Sequence, residues 1–374
     1  MFLSADKPCA LTRYVLYLVV IRKLKETMPN IHSLSADALL AIPVDAPEKL
    51  FTSPDEAKAE ARQLFMAWHP DRNRDARANE VFMHVRALFE AAEAKVAQGT
   101  WEVPGLLRLT SKSGAQFDVR YARKVAVDVG TMYVGRKFVG FDVSADNLDL
   151  LESAEDILQG LPYLNDAMRA EFSRYFPEVA RKVETATGTF VLVNKDPGVL
   201  LLQDVLDHYQ GKLPARHAAW VISRLLNIAC YLEVAGKVSH NAIGLDTVFI
   251  SPAQHSAHLL GGWWFAAGLG APLKAAAQRM VLCAPPDVLQ KKVGDSRTDM
   301  EMIKALGREL LGDSTGVRLA SDSAVPPALA NWLQLSTHQS AVATYQEWQE
   351  RVLIDAFGER KFVEMNLSHD TLYA

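Results

Sequence analysis

Phe65-Met66-Ala67-Trp68-His69-Pro70-Asp71-Arg72-Asn73-Arg74-Asp75 is the stretch on which the reading of the N-terminal third turns. Pro70 disfavours helical backbone at His69, so a helix arriving from the N-terminal side stops there. The polar run from Asp71 to Asp75 is then a loop. Upstream, Ser53-Pro54-Asp55-Glu56 reads as the start of that helix. Ser53 can cap, Pro54 suits the first turn, and the acids face the positive helix end. Ala61, Leu64, Phe65 and Trp68 recur at steps of three and four and form one apolar stripe. Downstream, a second helix is expected from about Ala76 to Ala97, its inner face carrying Val81, Phe82, Val85, Leu88, Phe89 and Ala92. The two stripes can close on each other as an antiparallel pair with the loop at the tip. His69-Pro70-Asp71 on that tip has no packing reason to exist.

These helices and their loop resemble the J domain of the DnaJ co-chaperone family. The resemblance rests on Trp68-His69-Pro70-Asp71-Arg72-Asn73, followed at matching distance by Phe82-x-x-Val85-x-x-Leu88-Phe89. Ala38 to Ile42 and Pro47 to Phe51 stand, loosely, where the family has its first short helix. The resemblance implies a J-like domain over 36–99 that recruits an Hsp70-type chaperone and performs no chemistry itself. It implies contact roles for His69 and Asp71, a stiffening role for Pro70, and steering by the basic side chains Lys58, Arg62 and Arg72. The chain departs from the pattern: Ala61 replaces the usual Tyr, and Glu56 and Glu60 thin the basic face. The plainer reading of His69 and Asp71 is a helix C-cap and a soluble loop residue.

The chain has 374 residues, formal charge −4 and 49% apolar residues. That is enough for two or three domains of ordinary globular balance. Nothing in the overall charge points to nucleic acid. Cys9, Cys230 and Cys283 are too scattered for a disulfide framework or a zinc site, which suggests a reducing, cytoplasmic setting. The apolar run Tyr14 to Ile21 is too short to span a membrane, and membrane association is not expected. It reads as a packed helix, as an extension upstream of a start at Met28, or as a targeting element. Residues 1–35 are taken as an N-terminal extension.

After Gly99 the pattern changes. Leu106 to Leu109, Gln116 to Val119, Lys124 to Val129, Thr131 to Val134 and Phe138 to Val143 are short strand-like runs parted by turns. Ala145 to about Arg174 is helical with a break near Gly160 and Pro162. Val183 to Thr187 and Thr189 to Val193 are two further strands, and a helix follows near Leu202 to Tyr209. Ala215 to Ala235 is a long apolar helix ended by Gly236. The later helices are Ala328 to Leu335 and Ala341 to Phe357. The tail 359–374 holds a strand-like Lys361 to Met365.

Strands first, one helical stretch among them and a helical remainder make an α+β multidomain chain with a two-lobed body. In this order, and in Lys237 to Ile250 with Leu259 to Trp264, the body resembles a protein kinase stripped of its chemistry. His240 matches the histidine of the kinase catalytic loop. Ala242 stands for the base Asp, Gly244 for the Lys and Thr247 for the metal-binding Asn. Gly261, Gly262 and Trp263 fall at Asp-Phe-Gly, and Asp142 falls at the ATP-pairing Lys. Asp299 and the apolar residues after it fit the large buried helix of the lower lobe. The resemblance implies a strand-rich lobe over 100–200, a helical lobe over 201–358, no catalytic residue, no metal and no cofactor, because phosphoryl transfer needs positioned magnesium, a Lys on the phosphates and a carboxylate near the acceptor. His240 then reads as structural, and Trp263-Trp264 as core or as filler of the old nucleotide cleft.

The expected function is a non-enzymatic adaptor that recruits an Hsp70 and holds a specific client or partner. The alternatives are an interaction scaffold that no longer engages Hsp70, and a pseudokinase that keeps a nucleotide or peptide pocket.

Overall fold

The computed structural model describes residues 34–98, 101, 103, 105–336, 339–359 and 363–373. Cys9, the run Tyr14 to Ile21 and Met28 lie outside the described residues. The chain divides into two compact units, 1–107 and 108–374.

The first unit is helical. It holds α1 (Ala36–Leu40), a single 3-10 turn at Pro47–Lys49, α2 (Pro54–Ala67) and α3 (Ala78–Gln98). Ser53 is extended and its hydroxyl accepts the Glu56 N–H at 3.3 Å, so α2 starts with a side-chain cap and a proline in its first turn. The start of α3 is set by Asp75, whose carboxylate accepts the Arg77 N–H at 2.8 Å. The facing stripes bury Ala57, Ala61 and Leu64 against Val81, Val85, Leu88 and Ala92, with Leu39, Leu50 and Phe51 closing the core. Phe65 packs on Phe82 and Phe51 on Phe89. Two polar pins hold the entry segment. Lys95 meets the buried Glu48 at 2.7 Å, and Glu60 accepts both the N–H and the hydroxyl of Thr52.

The second unit mixes sheet and helix. β1 (Leu106–Thr110) and β2 (Gln116–Arg120) make a two-stranded ribbon. β3 (Arg123–Val127), β4 (Gly130–Val134), β5 (Phe138–Ser144), β6 (Glu178–Glu184) and β7 (Gly188–Asn194) form an antiparallel sheet in the order β3-β4-β5-β7-β6. Between β5 and β6 the chain forms α4 (Leu148–Gln159) and α5 (Asp166–Phe172). Alternation gives the sheet two faces. Met132, Val134, Val139, Phe141, Val143, Val191 and Val193 join the main core. Gly140 faces the other way, where an added Cβ would lie 2.3 Å from the Phe190 ring.

The helical part follows through β8 (Leu200–Leu201), α6 (Leu202–His208) and α7 (Ala215–Tyr231). Further on come β9 (Val238–Ser239), β10 (Val248–Ser251), β11 (Ser256–Leu259), β12 (Ala267–Gly268), α8 (Gln278–Cys283) and α9 (Pro286–Lys291). α10 (Ser296–Leu310), α11 (Pro327–Gln334), α12 (Ala341–Glu347), α13 (Leu353–Phe357) and α14 (His369–Leu372) complete it. α7 and α10 cross closely at Gly307, where a Cβ would come within 2.9 Å of Ile222. By length and composition the segment 215–236 could cross a membrane, yet 56% of its most apolar window is buried inside the protein.

Three expectations need correction. The strand expected at Val183 to Thr187 lies instead at Glu178–Glu184, with 185–187 in the turn before β7. Gly236 does not end α7: the helix widens into a π turn over Leu232–Gly236, and Lys237 takes the left-handed capping conformation at φ 53°. The strand expected at Lys361 to Met365 is absent from its described part, 363–365, while 361 and 362 lie outside the described residues. The tail instead docks, Met365 being buried and the Tyr373 hydroxyl donating to Asp204 at 2.6 Å.

Candidate functional site

Each unit carries one of the two places that the sequence singles out. In the first unit it is the tip between α2 and α3. The turn closes on itself: the His69 carbonyl accepts the N–H groups of Arg72 and Asn73, and the Asn73 amide caps the Ala67 carbonyl at 3.0 Å. The Asp71 N–H donates to His69 Nδ1 at 3.2 Å. The same nitrogen lies 3.7 Å from the Asp71 carboxylate. The His69 ring stands edge-on to Phe82, 5.7 Å between centroids, which ties the loop to α3. Pro70, Asp71 and Arg72 are exposed, as are Lys58 and Arg62 one turn apart on α2. Glu60 leaves that face because Thr52 engages its carboxylate. Ala61, where the family pattern has Tyr, is a core position at 1% exposure.

In the second unit the loop 240–247 lies under β5. The buried Asp299 of α10 accepts the His240 N–H with one carboxylate oxygen and the Asn241 N–H with the other, both at 2.8 Å. His240 Nε2 donates to the Gly261 carbonyl at 3.0 Å. Burial pushes the imidazole down to about 4 and the Asp299 carboxyl up to about 7, the latter against its two N–H donors. Asn241 takes a left-handed conformation and its amide donates to the Phe265 carbonyl at 3.0 Å. Asp299 thus holds the loop through its backbone, whatever side chains the loop presents.

Ala242 and Gly244 bring no charged or titratable side chain to the loop. Ala242 offers no base. The Thr247 hydroxyl donates to the Ala242 carbonyl at 2.6 Å and accepts from the Gly244 N–H at 2.9 Å, so it is consumed inside the loop. A side chain at Gly244 would press on Arg279 and Asp246, and one at Gly262 would sit 2.9 Å from His240 and from Ala242. The cleft above measures about 40 Å³, room for a few waters and far less than a nucleotide. Trp264 closes it, packing edge-on against Phe141 at 5.1 Å.

The tryptophan pair therefore divides. Trp264 lines the cleft, whereas Trp263 is core, standing against His240 and Phe176 and donating its indole N–H to the Leu259 carbonyl at 2.7 Å. Asp142 is a correction. It shares the sheet face of Gly140 and Phe190, and Phe141, one residue earlier, is the β5 side chain that reaches the cleft. Successive strand residues point to opposite faces, so the carboxylate cannot stand where a phosphate-pairing Lys would. Three charged groups at the cleft escaped the sequence reading: Asp128, Asp246 and Arg279. Arg279 is held by Glu309 at 2.7 Å, and burial raises the Asp246 carboxyl. Asp246 is the one acid in the loop and could have been noted; nothing near Arg279 in sequence marks it. Among the described residues no group of three or more His, Cys, Asp or Glu side chains could hold a metal. Cys230 and Cys283 are free, half-buried thiols raised by burial, Cys230 to about 12.

No family model matches the sequence, and no curated protein matches it. Among solved structures, the chain is similar to one described as vaccinia related kinase 3, at 17% identity and a TM-score of 0.45, over 68% of this chain and 93% of that one.

Proposed function

We propose that this chain is a non-enzymatic adaptor whose J-like unit recruits an Hsp70-type chaperone and whose kinase-like body binds a client or partner protein without transferring phosphate. The observation that carries the first half is the tip itself. His69, Pro70 and Asp71 crown a well-packed hairpin, the loop's own hydrogen bonds shape them, and the Asp71 carboxylate, 3.7 Å from His69 Nδ1, is 89% exposed and open to a partner. Lys58, Arg62 and Arg72 give a small basic margin that would steer the tip toward an acidic surface. Asp71 would pair with an arginine there.

The second half rests on the cleft. A carboxylate-clamped loop with Ala, Gly and Thr at the reacting positions, under a cleft closed by Trp264, supports a body kept for its surface. The same filling disfavours the reading in which a nucleotide pocket survives. We place the protein in the cytoplasm on its scattered cysteines alone.

The test is single-turnover ATP hydrolysis by the host Hsp70, with the intact chain and with its His69→Gln version. Acceleration that disappears in the variant supports recruitment. No acceleration by the intact chain with any host Hsp70 sinks it. The reading would then pass to a scaffold that retains the hairpin as structure, which the excess of acidic over basic side chains between 34 and 98 favours.

A further inference from the structure

A cavity of about 390 Å³ opens on the helical part of the body, and it shares no lining residue with the cleft. Its walls come from α7, the π turn Trp348–Val352 and α13. Trp220 of α7 carries the His255 ring stacked on it, 4.9 Å away and 7° from parallel. Across from this aromatic platform, Leu353, Ile354 and Phe357 supply an apolar wall, with Ile354 56% exposed at the mouth. Two guanidinium groups line the cavity. Arg216 lies over the Phe357 ring and donates to the Phe357 carbonyl at 3.3 Å. Arg224 is exposed and makes no hydrogen bond or ion pair among the described residues. Glu359 is the one acid among the described lining residues.

The backbone is irregular on three sides of this cavity. His255 is left-handed at φ 47°, Gly358 has φ 64°, and Gln349 belongs to the π turn. π turns inside helices and left-handed non-glycine residues concentrate at functional sites. The Trp220 indole nitrogen is buried and has no acceptor among the described residues, a cost that a polar ligand group would remove. The volume falls in the range of small-molecule sites, which are apolar pockets with a few convergent polar groups.

We infer that this cavity binds a small organic anion built on a flat ring. The ring lies along the Trp220–His255 platform, its apolar edge meets Ile354 and Phe357, and its acid group is taken by Arg224 with support from Arg216. The excess of guanidinium over carboxylate selects an anion over a cation. Among the described residues Arg224 makes no hydrogen bond, so its guanidinium N–H groups can form a charge-assisted one to the acid group. This inference is independent of chaperone recruitment, since no residue of the J-like unit takes part.

The test is fluorescence titration of the full chain with 8-anilinonaphthalene-1-sulfonate, an aromatic sulfonate, beside the uncharged N-phenyl-1-naphthylamine. The expected result is one saturable site per chain that prefers the sulfonate. Arg224→Gln weakens it about tenfold or more, while Arg318→Gln, an exposed arginine outside the cavity, leaves it unchanged. Ile354→Trp, which fills the mouth, removes binding of both probes and so locates the site. Circular dichroism reports whether each variant is folded, and the Arg224→Gln comparison decides the matter even if Ile354→Trp is not. The inference is overturned by any of three results: no saturable binding, equal affinity in Arg224→Gln, or no preference for the charged probe.

Discussion

Asp299 and His240 lie 59 positions apart in the chain, yet one carboxylate oxygen of Asp299 takes the backbone N–H of His240 at 2.8 Å while the other takes that of Asn241. The contact is backbone on one side, so the loop's side chains could change freely while its path stayed fixed. Asp299→Ala would leave two buried N–H groups without an acceptor, each costing about 1–3 kcal/mol. The expected loss is therefore roughly 2–6 kcal/mol, with Asp299→Asn, which keeps one acceptor oxygen, falling between it and the parent. Urea unfolding followed by tryptophan fluorescence measures this. A loss under about 1 kcal/mol for Asp299→Ala would mean that the clamp is not what holds the loop.

The same pair makes stability depend on pH in opposite directions. Folded His240 stays neutral down to about 4, whereas the unfolded imidazole takes a proton near 6.5. The stability it contributes above 6.5 is lost as the pH falls toward 4. Asp299 titrates near 7 when folded and near 3.8 when unfolded, so its contribution is fully present at acid pH and is lost as the pH rises through that window. Between about 4 and 6.5 the two offset each other. His240→Phe removes one side of the balance. Going from pH 7 to pH 5, it should lose less stability than the parent, by on the order of 2 kcal/mol. Urea midpoints at the two pH values test this. Equal losses in both proteins would show that His240 does not titrate in this range.

On the first unit, the basic margin and the core position beside it should separate cleanly. Arg62→Glu touches an exposed side chain, so it should change stability by no more than about 0.5 kcal/mol. Any acceleration of Hsp70 should nevertheless fall, and fall most at low salt, where exposed charges act over the longest range. Ala61→Tyr forces a ring into a position at 1% exposure, at about 1–3 kcal/mol. Thermal unfolding and the ATPase assay together read both variants. Acceleration that ignores Arg62→Glu at every salt concentration would remove steering from the account.

The parts of this architecture that are legible in sequence are those set by neighbours in the chain. Ser53, Pro54 and Pro70 punctuate α2, and steps of three and four fix the buried faces of α2 and α3, so the hairpin could be read residue by residue. Most of the sheet strands could be placed, though not β6, which precedes the expected Val183 to Thr187, and which face a residue occupies depends on a register of one. Asp142 aligns by sequence with the ATP-pairing Lys, whereas Phe141, one residue earlier, is the β5 side chain that lines the cleft. β10 escaped notice because Val248 to Ile250 is apolar throughout, as befits a strand buried on both faces, and carries no alternation to read. Arg279 reaches the cleft from α8 and is held by Glu309 of α10, a relationship that exists only in three dimensions. His240 could be marked from sequence as structural; its acceptor, the Gly261 carbonyl, could not.

Trp264 provides the sharpest test of the body's character. Its ring closes a cleft of about 40 Å³ against Phe141, at 7% exposure. Trp264→Ala should therefore cost about 3–5 kcal/mol, the usual penalty for deleting a large buried aromatic side chain. It should also open space in the cleft. Space alone does not create a nucleotide site. Ala242 and Gly244 carry no charge, the Thr247 hydroxyl is spent on the loop, and Asp142 faces away. Neither the parent nor Trp264→Ala should then gain thermal stability from millimolar ATP with magnesium, since a ligand raises the midpoint only by binding the folded state. Differential scanning fluorimetry settles this. A clear upward shift in the parent would mean that the cleft opens to admit nucleotide. A shift in the variant alone would identify Trp264 as the group that keeps nucleotide out, with Asp128, Asp246 and Arg279 the first residues to examine as its contacts.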